Sequence, residues 1–216
     1  MVFVYYSLFR KNISVQFQPF KKTHPLNSKD QFMADLKKLI AACKKNKRSA
    51  QKQLYDELAE QLYWTCKRYL KHEEDVEEAL ADSFYTIFTK LHQLKHEDAL
   101  YTWSKRITIN HCLKRVKKDF THLYIDDMKT HPATQQIAEA KLEEHQLLKL
   151  VDQLPKGCQT IFKLYVIEGY AHKEIAKSLE ISLGTSKSQL NVAKTKLKTL
   201  INLYYYQNEK KNEQAG

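Results

Sequence analysis

Lys187, Ser188, Gln189, Asn191, Lys194 and Lys196 stand close together near the end of the chain. Their chemistry suits a nucleic acid. Ammonium groups neutralise phosphates, and the side-chain amides of Gln189 and Asn191 carry a donor and an acceptor for base edges. Lys198 extends the cationic set. The surrounding stretch, LPKGCQTIFKLYVIEGYAHKEIAKSLEISLGTSKSQL, supplies the elements that would hold them. Ile161, Leu164 and Tyr165 recur at helical spacing over residues 156–168, and Gly169 stops that helix. Ile175, Ala176 and Leu179 mark a second helix over 172–179. A tight turn over 180–184 follows, and Ser182 or Thr185 caps a third, polar and basic helix. A short helix, a turn and a basic helix describe a helix-turn-helix. The plainer reading is a three-helix bundle with a solvated lysine face.

A second constellation is acidic. Glu73, Glu74, Asp75, Glu77, Glu78 and Asp82 form a block inside a chain of 216 residues whose formal net charge is +11. Val76, Leu80, Phe84, Ile87, Phe88 and Leu91 supply the apolar stripe of the same helix. Asp75, Glu78 and Asp82 fall at helical spacing, so one face can present all three carboxylates. Acidic residues in a first turn complement the helix dipole, but Asp82 lies beyond that turn. The sharper reading is a docking surface for a basic protein.

A third set lies on the helix expected over 99–118. Leu100, Trp103, Ile107, Leu113 and Val116 form its core stripe. Lys105, Arg106, Lys114, Arg115, Lys117 and Lys118 form a basic face fit for phosphates. Trp103 sits at core spacing rather than as a stacking platform.

The rest of the chain frames these sets. The strong positive charge favours an anionic partner, and the absence of a long uncharged apolar run points to nucleic acid rather than membrane insertion. Only four glycines and four prolines accompany abundant Leu, Lys, Glu, Gln and Ala, which implies an all-α protein of two small helical domains. Cys43, Cys66, Cys112 and Cys158 are scattered, which suits free buried thiols in a reducing compartment rather than a zinc site or a disulfide frame. No metal or other cofactor is expected. Residues 1–32 are rich in aromatic and β-branched residues and make a poor signal peptide. They are expected to be a disordered extension or a strand, or to precede a true start at Met33. Leu36, Leu39, Ile40 and Cys43 mark one helix, residues 44–48 a turn, and Leu54, Leu58, Leu62, Cys66 and Tyr69 a longer helix. Residues 119–139 lose periodicity and read as a linker, 140–153 resume helix, and 207–216 read as a disordered tail.

The order of these features resembles a known family, the extracytoplasmic-function (ECF) group of bacterial sigma-70 RNA polymerase sigma factors. The segments LIAACKKNKRSAQKQLYDEL, DVEEALADSFYTIF, YTWSKRITIN and the helix-turn-helix stretch carry the resemblance in that order over residues 32–203. The resemblance implies that residues 33–118 form sigma region 2 and 140–206 form region 4. Asp75, Glu78 and Asp82, with Phe84 packed behind them, would dock on the coiled coil of the polymerase β′ subunit. Lys95, His96 and Glu97, with Asn110 in the pattern W-x-x-x-I-x-x-N, would capture a flipped base of the −10 element. Lys105, Arg106, Lys114 and Arg115 would hold that strand through phosphates. Thr185, Lys187, Ser188, Gln189, Asn191 and Lys194 would bind the −35 element. An anti-sigma partner is a further implication, as are cytoplasmic action and the absence of catalysis.

The chain also departs from the family pattern. Ala81 replaces a common glutamine, Gln189 and Val192 replace arginines, and Ser186 replaces a buried valine. Losing an arginine removes bidentate guanine readout, worth ~1–3 kcal/mol per contact. A stand-alone helix-turn-helix regulator would account for residues 140–203 but leave the acidic helix without a task. A nucleic-acid enzyme lacks support, because Asp126-Asp127 lies in the linker and no HExxH or P-loop occurs.

Overall fold

The computed structural model describes residues 29–123 and 144–213, and all regular structure among them is helical. The chain divides between residues 118 and 119 into two compact units. In the first, α1 spans Lys29–Lys44, α2 Arg48–Lys67, α3 Glu73–Lys90 and α4 Leu100–Leu123. Two single 3-10 turns, Leu91–Gln93 and Glu97–Ala99, link α3 to α4.

Leucine spacing builds this unit. Leu36, Ile40 and Cys43 on α1, Leu54, Leu58 and Leu62 on α2, and Phe84 and Ile87 on α3 close into one buried cluster. Leu91, Leu94 and Leu100 extend it under the α3–α4 connection. Each such side chain contributes about 1.5–3 kcal/mol on leaving water. A smaller cluster joins Cys66 and Leu70 to Val76, Ala79 and Cys112. The turn between α1 and α2 needs a left-handed residue, and Asn46 provides it at φ +56°. Asn tolerates that region because its short side chain bonds locally; here its Oδ1 accepts from Gln51 Nε2 at 3.5 Å.

In the second unit, α5 spans Glu144–Val151, α6 Lys156–Phe162, α7 His172–Leu179 and α8 Leu183–Glu213. The helix expected over 156–168 is α6 followed by a wider π-helical turn, Lys163–Ile167. Gly169 then turns the chain at φ +74°, a conformation an L side chain rarely adopts. Lys163 is buried because Asp152 Oδ1 receives its Nζ at 2.9 Å. Gln159 Nε2 donates to the same carboxylate oxygen at 3.0 Å, so one carboxylate joins the end of α5 to α6 and the π turn.

Several sequence boundaries move. Residues 29–32, expected to lie outside the fold, form the first turn of α1, and Gln31 Nε2 donates to Asp35 one turn on at 3.2 Å. Residues 1–28 lie outside the described residues, as do the linker stretch 124–143 and Asp126-Asp127. Helix α4 continues five residues past 118 to Leu123, since no glycine or proline interrupts it before Pro132. Helix α8 takes in residues 207–213 of the expected tail; Glu, Lys and Gln extend a helix at little cost. The buried face of α4 also differs. Leu100, Ser104, Thr108, Ile109, Cys112 and Leu113 are buried, whereas Trp103, Ile107 and Val116 pack only partly. Ser104 and Thr108 fit there because they are small, and the Thr108 hydroxyl donates to the Ser104 carbonyl at 3.1 Å.

None of the four cysteines is in a disulfide, and all four are buried. Among the described residues no helix is long and apolar enough to cross a membrane. No group of three metal-ligating side chains occurs among them either.

Glu180, which ends α7, sits in the left-handed region at φ +55°. An L side chain is disfavoured there and glycine is not. Glu180→Gly should therefore stabilise the second unit by ~0.5–1 kcal/mol in a denaturant melt. An equal loss of stability would contradict the strain.

Candidate nucleic-acid interface and acidic face

The α7–α8 turn contains only residues 180–182. Ser182, the cap, accepts from the Thr185 backbone N–H at 2.9 Å, and its carbonyl accepts from Ser186 N–H at 3.1 Å. Leu190, Ala193, Leu197 and Ile201 are buried along α8. This leaves Lys187, Ser188 and Asn191 exposed and Thr185 and Lys194 half-buried. Thr185 and Ser188 spend hydroxyls on the helix start, Thr185 against Ser182 at 2.8 Å and Ser188 on the Thr185 carbonyl at 3.1 Å.

Gln189 contradicts its expected role. It is 9% exposed, and its Oε1 accepts from the buried Cys158 thiol at 2.8 Å. The side chain therefore holds α8 to α6 instead of facing a groove. Of the residues expected to read base edges, Asn191 alone is on the exposed face.

Ser186 is fully buried, yet its hydroxyl is matched: His172 Nδ1 lies 2.9 Å away. The imidazole stacks on Tyr165 with ring centroids 4.4 Å apart. The first helix of the motif is thus fixed to the second by a polar pair whose two members a valine-based pattern would not suggest. His172 is held below its ordinary pKa by burial first, then by Lys187 and Lys194.

In the first unit, Thr102, Arg106, Asn110 and Lys114 are all exposed and one turn apart on α4. They form a ridge that drifts slowly around the helix. Lys105 lies off it and is half-buried. The loop of Lys95, His96 and Glu97 is short and is pinned on both sides by buried Leu94 and Leu100. Leu94 N–H donates to the Leu91 carbonyl, and Ala99 N–H to that of His96, both at 3.1 Å. Lys95 and His96 remain exposed, and Glu97 is half-buried.

Arg115 is separate from that ridge. Its Nη2 donates to Asp82 Oδ2 at 3.0 Å and to Glu78 Oε2 at 3.3 Å, across from α4 to α3. Two of the docking candidates and one strand-holding candidate are therefore a single cluster. His111 completes it, with Nε2 joined to Thr86 Oγ1 at 2.8 Å and Nδ1 3.9 Å from Asp82. Burial, then Lys114, keeps the His111 pKa low, against the pull of Asp82. Asp75 is half-buried on the same helix. Phe84 is buried, with its ring 4.4 Å from Tyr55 and 5.9 Å from Phe88. Glu73 is engaged elsewhere. It accepts from Lys67 Nζ at 2.9 Å and from the Tyr63 hydroxyl at 2.7 Å, and those bonds lower its pKa.

Tyr85, one turn from Asp82, is 73% exposed and was not anticipated. The signal available was its place among Glu78, Asp82 and Thr89 on the polar side of α3. His111 and His172 were also missed, because a lone histidine at helical spacing carries no distinguishing pattern.

Comparison with known proteins gives these faces a context. Residues 54–119 match the family model for sigma-70 region 2. Residues 144–197 match the model for sigma-70, region 4. An ECF RNA polymerase sigma factor, SigM of Mycobacterium tuberculosis, is 25% identical over 76% of this chain and 83% of its own length. An ECF RNA polymerase sigma factor, SigW of Bacillus subtilis, is 24% identical over 72% of this chain and 91% of its own. Among solved structures, the sigma factor RpoE in complex with the anti-sigma factor NepR from Bartonella quintana is 17% identical. It aligns with a TM-score of 0.43 over 70% of this chain and 96% of that one. The two helical units thus define a region 2 and region 4 protein. The chain belongs to the sigma-70 family, within its ECF group, and functions in promoter recognition as a sigma factor.

The two histidines make acid stability testable. Their folded pKa values lie below the ordinary value of about 6.5, so the unfolded chain takes up protons first as pH falls. Their contribution is complete above about pH 6.5 and is lost as pH falls through that value toward the folded pKa. The thermal midpoint should drop between pH 7.5 and 5.5, and His111→Gln/His172→Gln should flatten that drop. An unchanged pH dependence in the double variant would contradict the assignment.

Proposed function

We propose that the exposed carboxylates of α3 dock the chain on core RNA polymerase, at the coiled coil of the β′ subunit. The loop of Lys95, His96 and Glu97 and the ridge of Arg106, Asn110 and Lys114 then stabilise the melted −10 strand, with Lys105 beside them. Region 4 grips duplex DNA at the −35 element, with Lys187 and Lys194 on phosphates and Asn191 at a base edge. Thr185 and Ser188 shape the start of that helix. Residues 33–118 and 140–206 act as the two promoter-binding modules, and the segment between them spans the distance separating the elements. The chain supplies no chemistry of its own; polymerase does that, in the cytoplasm. An anti-sigma factor that covers these faces is the expected regulator.

The observation that carries this reading is the segregation of charge within one small unit. Exposed carboxylates occupy α3 and exposed cations occupy the ridge of α4, which suits simultaneous engagement of a basic protein and an acidic strand. The exposed Lys187 and the half-buried Lys194 of α8 add a sequence-independent grip on duplex DNA.

Two measurements test it. Purified core polymerase should bind the full chain, and Glu78→Lys/Asp82→Lys should weaken that binding by roughly a hundredfold, because like charges then meet. Undiminished binding would move the interface elsewhere. Lys187→Ala/Lys194→Ala should reduce the salt dependence of duplex DNA binding by about two released counterions. An unchanged slope would remove both lysines from the phosphate contacts.

A further inference from the structure

We propose that Arg115 is a positioning residue for polymerase docking and not a contact to the −10 strand. The inference deepens the docking assignment above and rests on it. The sequence puts Arg115 among the cations of α4, one position from Lys114. The fold separates the two. The Lys114 side chain is exposed on the ridge, whereas that of Arg115 is 19% exposed and is directed to α3.

The geometry is that of a brace. Arg115 Nη1 donates to the His111 carbonyl at 3.4 Å, which fixes the guanidinium on its own helix. Nη2 reaches Glu78 Oε2 and Asp82 Oδ2 together. These carboxylates are one turn apart on α3, where like charges repel and splay. A single buried-side nitrogen holds one oxygen of each. The remaining oxygens, Glu78 Oε1 and Asp82 Oδ1, receive no hydrogen bond from the described residues. The two carboxylate side chains stay 72% and 54% exposed. Arg115 therefore orders two carboxylates whose side chains remain largely open to solvent. A guanidinium is suited to this task by its rigid fork of donors; an ammonium is a single point charge on a flexible stem. Ordering the pair before contact removes part of the entropy cost of docking.

The role is separable from the alternatives by a double-mutant cycle on the full chain. The readouts are affinity for purified core polymerase and affinity for a random-sequence single-stranded oligonucleotide. Arg115→Met should weaken polymerase binding roughly tenfold, Arg115→Lys should recover part of it, and oligonucleotide binding should not change. In the Glu78→Gln/Asp82→Asn background, Arg115→Met should have no further effect on polymerase affinity. A merely structural arginine would weaken binding equally in both backgrounds and would overturn the proposal. Tighter polymerase binding by Arg115→Met would overturn it too, by making Arg115 a competitor for the carboxylates. Loss confined to the oligonucleotide would return Arg115 to the DNA strand. If Glu78→Gln/Asp82→Asn itself leaves polymerase affinity intact, the docking assignment fails and the proposal with it. If that variant weakens binding and Arg115→Met does not, only the role of Arg115 fails.

Discussion

The apolar seam between α2 and α3 is the constraint on which the first unit depends. Leu54, Leu58 and Leu62 meet Phe84 and Ile87 along it, and all are buried. Fixing that seam fixes the rotation of α3 about its axis. The carboxylates of Glu78 and Asp82 must then lie on the outer side, and Tyr85 with them. The seam also continues through Leu91 and Leu94 into Leu100, so it sets where the Lys95–Glu97 loop begins and where α4 starts. An exposed carboxylate face is thus placed by buried side chains on the opposite side of its helix. In such a core, truncating one leucine costs about 2–5 kcal/mol, a large share of the stability of a small unit.

The second unit solves a different problem with fewer apolar residues. Helices α6 and α7 are short, and α8 must keep one side polar along its whole first half. Several buried polar groups are therefore matched by partners inside the unit or at its surface. Asp152 receives Lys163 and Gln159, Cys158 donates to Gln189, and His172 meets Ser186. Buried polar groups are costly only when left without partners, and here partners come from neighbouring helices. Such pairs also fix geometry more narrowly than leucines do, because each bond has a direction. One of them, His172 with Ser186, joins α7 to α8.

Much of this was legible in the sequence. The apolar stripes of α1, α2 and α3 follow helical spacing with large residues, so their buried faces could be read directly. Gly169 and the turn read over 180–184 announced the helix-turn-helix, although the turn itself ends at Ser182, and the acidic run announced a face on α3. What escaped was chemistry that needs a second helix to interpret. Gln189 looks like a base reader until Cys158 is placed beside it. Arg115 reads as one more cation of α4 until α3 is laid along it and its bonds to Glu78 and Asp82 come into view. Ser104 and Thr108 are polar and lie outside the apolar stripe, yet both are buried. Helix ends failed for a related reason. Residues 119–123 and 207–213 contain no breaker, and polar composition alone does not end a helix. The residues of a site were visible as types, and their directions were not.

The central claim is that this chain directs polymerase to promoters. Its most direct test is transcription from fragmented genomic DNA of the source cell by core polymerase, with and without the full chain, followed by mapping of transcript 5′ ends. Discrete new start sites should appear only with the chain and share upstream sequence elements at fixed spacing. Start sites identical with and without it, while the chain still binds duplex DNA, would contradict the claim.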